Sequence, residues 1–110
     1  MRADPKVLRR TFARSLFAGL KIVWPILSVV LGCVVGLGML IGWLEGWSLR
    51  ESLYFAFITG LTIGYGDFVP SLFVTHLLAI FIGLCGLLLT ALVAAIAVKA
   101  LGAALEEGGE

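Results

Sequence analysis

The sequence predicts an all-α integral membrane protein, and three observations predict it. Two long stretches, residues 22–44 and 68–98, contain no Asp, Glu, Lys or Arg. A shorter apolar stretch, residues 52–61, lies between them. Charge is segregated: Arg2, Lys6, Arg9, Arg10, Arg14 and Lys21 all precede the first long stretch, while Glu106, Glu107 and Glu110 close the chain. With 61% hydrophobic residues, 14% charged residues and a mean hydropathy of +1.12, the chain lies outside the composition of a soluble domain. Its 110 residues make one domain at most. The net charge of +1 conceals the basic N-terminus. Nucleic-acid binding is a poor reading, because little folded surface remains once the apolar stretches are set aside. Cys33 and Cys85 fall within those stretches and are expected to stay free thiols.

Residues 1–21 read as a basic amphipathic segment. Asp4 can cap a helix whose first residue is Pro5. Leu8, Phe12, Leu16 and Leu20 recur every four residues, with Lys6, Arg9, Arg10 and Arg14 largely off that stripe. The pattern suits a helix lying on the inner membrane surface; the alternative is a cytosolic extension of the first span. A cleavable signal fits less well, since the apolar run beyond Lys21 is too long. Residues 22–44, about 23 residues or roughly 35 Å of helix, are enough to cross a bilayer and read as the outer helix. Trp24 marks one interface, Trp43 and Trp47 the other. Pro25 is expected in the first turn, where it is tolerated. Gly32, Gly36 and Gly38 either permit close helix contact or are ordinary membrane-helix glycines. The six basic residues put both termini on the cytoplasmic side and residues 43–50 outside.

Ser48 and Glu51 form the two ends of a capping box, so a helix is expected over 48–61. It is too short to span and too apolar to be exposed, which fits a re-entrant helix enclosed by protein. Its C-terminal dipole end would favour a cation near the membrane centre. Pro70 is expected to open the second span, residues 70–100, which returns the chain to Lys99 on the inner side. His76 near its outer end reads as interfacial. Residues 101–110 read as a frayed acidic tail.

Between the short helix and the second span lies Thr62-Ile63-Gly64-Tyr65-Gly66-Asp67. Gly64 and Gly66 reach positive φ at little steric expense, which Ile63 and Tyr65 cannot do. Such alternation lets successive carbonyl oxygens point the same way. Four chains around an axis would stack those oxygens into rings that replace the hydration shell of a monovalent cation. The Thr62 hydroxyl can add one more ring.

Residues 59–67, Thr-Gly-Leu-Thr-Ile-Gly-Tyr-Gly-Asp, closely resemble the signature of potassium channels, whose commonest core is Thr-Val-Gly-Tyr-Gly-Asp. The flanking order of elements also resembles the two-helix pore module of prokaryotic-type members over most of the chain. The resemblance implies a homotetramer in a lipid bilayer that passively conducts K+ through a selectivity filter at 62–67. Backbone carbonyls of Thr62, Ile63, Gly64 and Tyr65, with the Thr62 hydroxyl, would be the ion ligands. Gly66 and Asp67 would support the filter, with Tyr65 braced against Tyr54 and Phe55, where family members often carry tryptophans. Some relatives pair the filter aspartate with a glutamate; that position is Ile58 here, leaving Tyr54 as a candidate partner for Asp67. Gly86 matches the hinge glycine of the inner helix, with Gly83 a rival, and Ala91 the small residue near the inner gate. Leu87, Thr90 and Ala94 would line the cavity below the filter. Relatives that select poorly often differ at the Tyr65 position, and a non-conducting two-span assembly subunit would leave the motif unexplained. No acid/base pair, nucleophile constellation or phosphate loop is present, so no enzyme chemistry, organic cofactor or small-molecule substrate is expected.

Overall fold

The computed structural model describes residues 4–108, with side chains described through Glu106. Arg2, Gly109, Glu110 and the Glu107 side chain lie outside the described residues. Three helices follow in order: α1, Pro5–Glu45; α2, Leu49–Gly60; and α3, Phe73–Gly108. α1 and α3 are long and apolar enough to cross a membrane.

α1 begins as its sequence dictates. The Asp4 carboxylate accepts from the Lys6 N–H at 3.0 Å, which satisfies one of the four orphan donors of the first turn. The boundary drawn between residues 21 and 22 is not a break in the helix: α1 is continuous for 41 residues, so the basic segment extends the first span without interruption. Leu16, Phe17, Ala18, Leu20 and Lys21 are all competent helix formers, so no local signal stops the helix there. Pro25 therefore sits in the helix interior instead of its first turn. It withholds the N–H that Lys21's carbonyl would otherwise receive, a loss membrane helices tolerate through local adjustment. α3 departs at both ends. It starts at Phe73, after Pro70, and continues past residue 100 to Gly108, through the stretch expected to fray. Leu101, Ala103, Ala104, Leu105 and Glu106 all favour helix.

The chain forms two compact units, one of residues 1–26 and 91–110, the other of residues 27–90. In the first, the N-terminal part of α1 packs on the C-terminal part of α3, burying Thr11, Ala100 and Ala104. Gly19 lies flat against Ile96, where a Cβ would come within 2.6 Å of Ile96 Cγ2. The second unit holds the apolar core of Val34, Ile41, Phe55, Ala56 and Ile82, contributed by all three helices.

Within that second unit α2 is seated by small residues. Cβ atoms on Gly38 and Gly42 would overlap the side chains of Ala56 and Ser52 respectively. Of the three glycines that could either bear a contact or be ordinary membrane-helix residues, Gly38 bears one while Gly32 and Gly36 face open space in the single chain; Gly42 bears another. Ser52 is fixed in place, because its hydroxyl donates to the Ser48 carbonyl at 2.8 Å. Gly42→Ala should therefore destabilise the protein by about 1–3 kcal/mol through overpacking. Gly36→Ala should be neutral or stabilising, since Ala exceeds Gly in helix propensity by about 1 kcal/mol. Thermal unfolding in detergent compares the two directly.

Candidate functional site

The site is built where α2 ends. Ser48 caps α2, accepting from the Glu51 N–H at 3.1 Å while the Glu51 carboxylate accepts from the Ser48 N–H at 2.8 Å. That box fixes the entry, and the small-residue contacts fix the seat. At the exit the chain leaves the helix through an unusual set of backbone bonds. Leu61 N–H donates to the Phe57 carbonyl, and Thr62 N–H to the Thr59 carbonyl at 3.1 Å. Ile63 N–H and Gly64 N–H then both converge on the Ile58 carbonyl, at 2.8 and 3.0 Å.

That convergence sets the direction of the carbonyls. A trans peptide is planar, with its N–H and C=O pointing opposite ways. The bond joining Thr62 to Ile63 and the bond joining Ile63 to Gly64 aim their N–H groups at one oxygen of α2. The Thr62 and Ile63 carbonyls consequently face away from α2, side by side. The dihedral angles agree: φ is +62° at Thr62, +58° at Gly64 and +81° at Gly66. Ile63 and Tyr65, between them, stay at negative φ. Alternation of hand over successive residues gathers N–H groups on one side and oxygens on the other. The sequence pointed to the two glycines but not to Thr62, a β-branched residue for which positive φ is strained by about 1–3 kcal/mol. The Thr62 hydroxyl donates to the Leu61 carbonyl at 2.6 Å, which leaves its own lone pairs available.

The flanking residues are held by side chains. Tyr54 Oη donates to Asp67 Oδ2 at 2.8 Å, linking α2 to the far end of the motif, and Asp67 Oδ1 accepts from the Phe68 N–H at 3.2 Å. The Ile58 side chain, buried and without a polar atom, offers Asp67 no hydrogen bond; its backbone carbonyl alone takes part in the turn. Around Tyr54 and Phe55 the ring pairs within one chain involve Trp47 and Phe68. Phe55 meets Trp47 at a centroid distance of 5.0 Å, and Phe68 meets Trp47 at 5.4 Å and Tyr54 at 5.9 Å. Tyr65 is 69% exposed in the single chain, with Ile63 47% exposed.

Gly86 packs against the end of α2. α3 is unbroken through Gly83 and Gly86. A Cβ on Gly86 would overlap the Gly60 carbonyl oxygen and approach Gly60 C and Cα at 2.7 and 3.0 Å, whereas one on Gly83 would meet nothing. Leu87 and Thr90 are both exposed in the single chain. Ala91 and Ala94 lie in the other compact unit.

Sequence reasoning missed Glu45. Its carboxylate accepts from the Ser71 N–H at 3.1 Å to both oxygens, from Ser71 Oγ at 2.7 Å, from the Leu72 N–H at 3.2 Å and from Thr75 Oγ1 at 2.8 Å. It thereby caps the N-terminus of α3 from the end of α1, where orphan N–H groups and the helix dipole favour an anion. Glu45 stands just outside the charge-free run. The hydroxyls of Ser71 and Thr75 foremost, then the N–H groups of Ser71 and Leu72, hold its carboxyl down from 4.5 to about 2, against a desolvation that pulls the other way. The one available signal was an acid closing an apolar run; its partners lie 26–30 residues away and are invisible locally.

Residues 26–103 match the family described as ion channel. That match takes in the C-terminal part of α1, all of α2 and the motif, and most of α3, and the chain belongs to this family of channels, which are not enzymes. No curated protein and no solved structure matches it. The two helices long and apolar enough to span, together with the family, make it a membrane protein.

The Glu45 clasp predicts a pH dependence. Its folded pKa lies below the unfolded value, so its stabilisation is complete above pH 4.5 and is lost as pH falls toward 2. The unfolding midpoint of the native chain should drop across that window, while Glu45→Gln should start lower at neutral pH and respond less. Parallel profiles for the two proteins would show that the clasp contributes nothing.

Proposed function

We propose that the chain is the pore-forming subunit of a potassium-selective channel. Four copies assemble around one axis, with α2 as the re-entrant pore helix and residues 62–67 as the selectivity filter. The observation that carries this reading is the convergence of the Ile63 and Gly64 N–H groups on the Ile58 carbonyl, which turns the neighbouring oxygens away from α2. In a tetramer the backbone carbonyls of Thr62, Ile63, Gly64 and Tyr65, with the Thr62 hydroxyl, form successive rings around K+. Neutral oxygens suit a monovalent ion that must be held weakly enough to leave. The C-terminal end of α2 adds its negative dipole end behind the rings.

Gly66 and Asp67 support the outer end of the filter, where the Tyr54–Asp67 hydrogen bond takes the place of the carboxyl pair that Ile58 precludes. Tyr65, exposed in one chain, turns its ring away from the axis into the protein matrix around the filter. The basic N-terminal part of α1 and the acidic end of α3 lie on the cytoplasmic side, following the bias of Lys and Arg. K+ is the permeant ion, with no organic cofactor.

Purified protein in liposomes, with K+ on one side and Na+ on the other, tests the reading. Reversal should lie near the potassium equilibrium potential, and reversal near zero would refute selectivity. Tyr65→Asp should move reversal toward zero, because a new charge and a lost ring both disturb the outer carbonyls.

A further inference from the structure

The contact between Gly86 and Gly60 suits Gly86 to a task other than bending. We propose that Gly86 is a positioning residue for ion selection: its missing Cβ lets the last carbonyl of α2 rest on α3, and this sets where the filter oxygens stand. The inference rests on the potassium-channel reading above and deepens it.

Four observations support it. A Cβ on Gly86 would overlap Gly60 O and come within 2.7 Å of Gly60 C and 3.0 Å of Gly60 Cα. Those are backbone atoms, so no side-chain rotation relieves the overlap. Gly60 itself has little room to retreat, since a Cβ there would already lie 3.0 Å from Val34 Cγ1 of α1 and 3.9 Å from Ile82 Cγ2 of α3. Further back, α2 is wedged on α1, Ala56 against Gly38 and Ser52 against Gly42. Displacement of α2 must therefore appear at its C-terminal end. That end holds the Ile58 and Thr59 carbonyls, to which Thr62, Ile63 and Gly64 are bonded. A shift of even a few tenths of an ångström there is passed to the filter through three short backbone hydrogen bonds.

This role differs from that of a hinge. A hinge glycine alters how often the pore opens and leaves the open filter as it was. A positioning glycine alters which ions the open filter prefers and how fast they pass. Gly83, three residues earlier and facing open space, separates the two.

The test uses the full chain in planar bilayers, with K+/Na+ permeability ratio and unitary K+ current as readouts. Gly86→Ala should lower the permeability ratio about tenfold or more, equivalent to about 1.4 kcal/mol of lost discrimination, and reduce the unitary current. Gly83→Ala should leave both unchanged. Gly60→Ala pushes the same end of α2 from the Val34 side without touching α3's backbone, and should show the same defect in milder form. It keeps the proposal open to refutation if Gly86→Ala fails to assemble, because a pure hinge at Gly86 leaves Gly60→Ala silent. Native permeability ratio and unitary current in Gly60→Ala, or in an assembled Gly86→Ala with only its open probability changed, would overturn the proposal. A native chain without K+ preference would instead overturn the potassium-channel reading itself.

Discussion

The closeness of α2 to the two long helices governs everything around the motif. Helices in lipid gain nothing from the hydrophobic effect between them, so close packing of small residues must hold them together. Here Gly38 and Gly42 receive Ala56 and Ser52 on one side, and Gly86 receives the Gly60 carbonyl on the other. Val34 and Ile82 close the space around Gly60. α2 is thus held along its length by contacts that allow no added methyl group, and the turn following it inherits that fixed starting point.

From that start, backbone chemistry completes the geometry. One carbonyl, Ile58 O, receives two consecutive N–H groups. Planar peptides then force the adjacent oxygens outward, and positive φ at Thr62, Gly64 and Gly66 continues the alternation. Thr62 departs from what its side chain prefers, a strain that persists only because the flanking bonds determine its position. Strain of this kind belongs at functional sites. In the proposed tetramer the same oxygens line the axis, and the exposed Ile63 and Tyr65 side chains find their surroundings in the assembly.

The outer ends are tied separately. Glu45 closes α1 onto the first turn of α3 with hydrogen bonds from Ser71, Leu72 and Thr75. Tyr54 ties α2 to Asp67, and Trp47, Phe55 and Phe68 fill the space between. α3 begins at Phe73, with the Leu72 carbonyl accepting from the His76 N–H at 2.9 Å while Glu45 takes the N–H groups of Ser71 and Leu72. The motif is therefore anchored at both ends: by the seat of α2 before it and by the capped start of α3 after it.

Local sequence determined much of this. The capping box at Ser48 and Glu51, the Asp4 cap, the helical character of the three apolar stretches and the positive φ of Gly64 and Gly66 all follow from residue type and spacing, because the interactions involved span four residues or fewer. The motif itself named the site. Tertiary structure decided what depends on partners far along the chain: which glycines bear contacts, that Gly42 and not Gly32 or Gly36 faces α2, that Gly86 meets a backbone carbonyl, and that Glu45 caps α3. A glycine in an apolar helix carries no mark of what lies opposite it, and an acid carries no mark of the N–H groups it will meet some thirty residues on. Only the packing of one helix against another supplies that information.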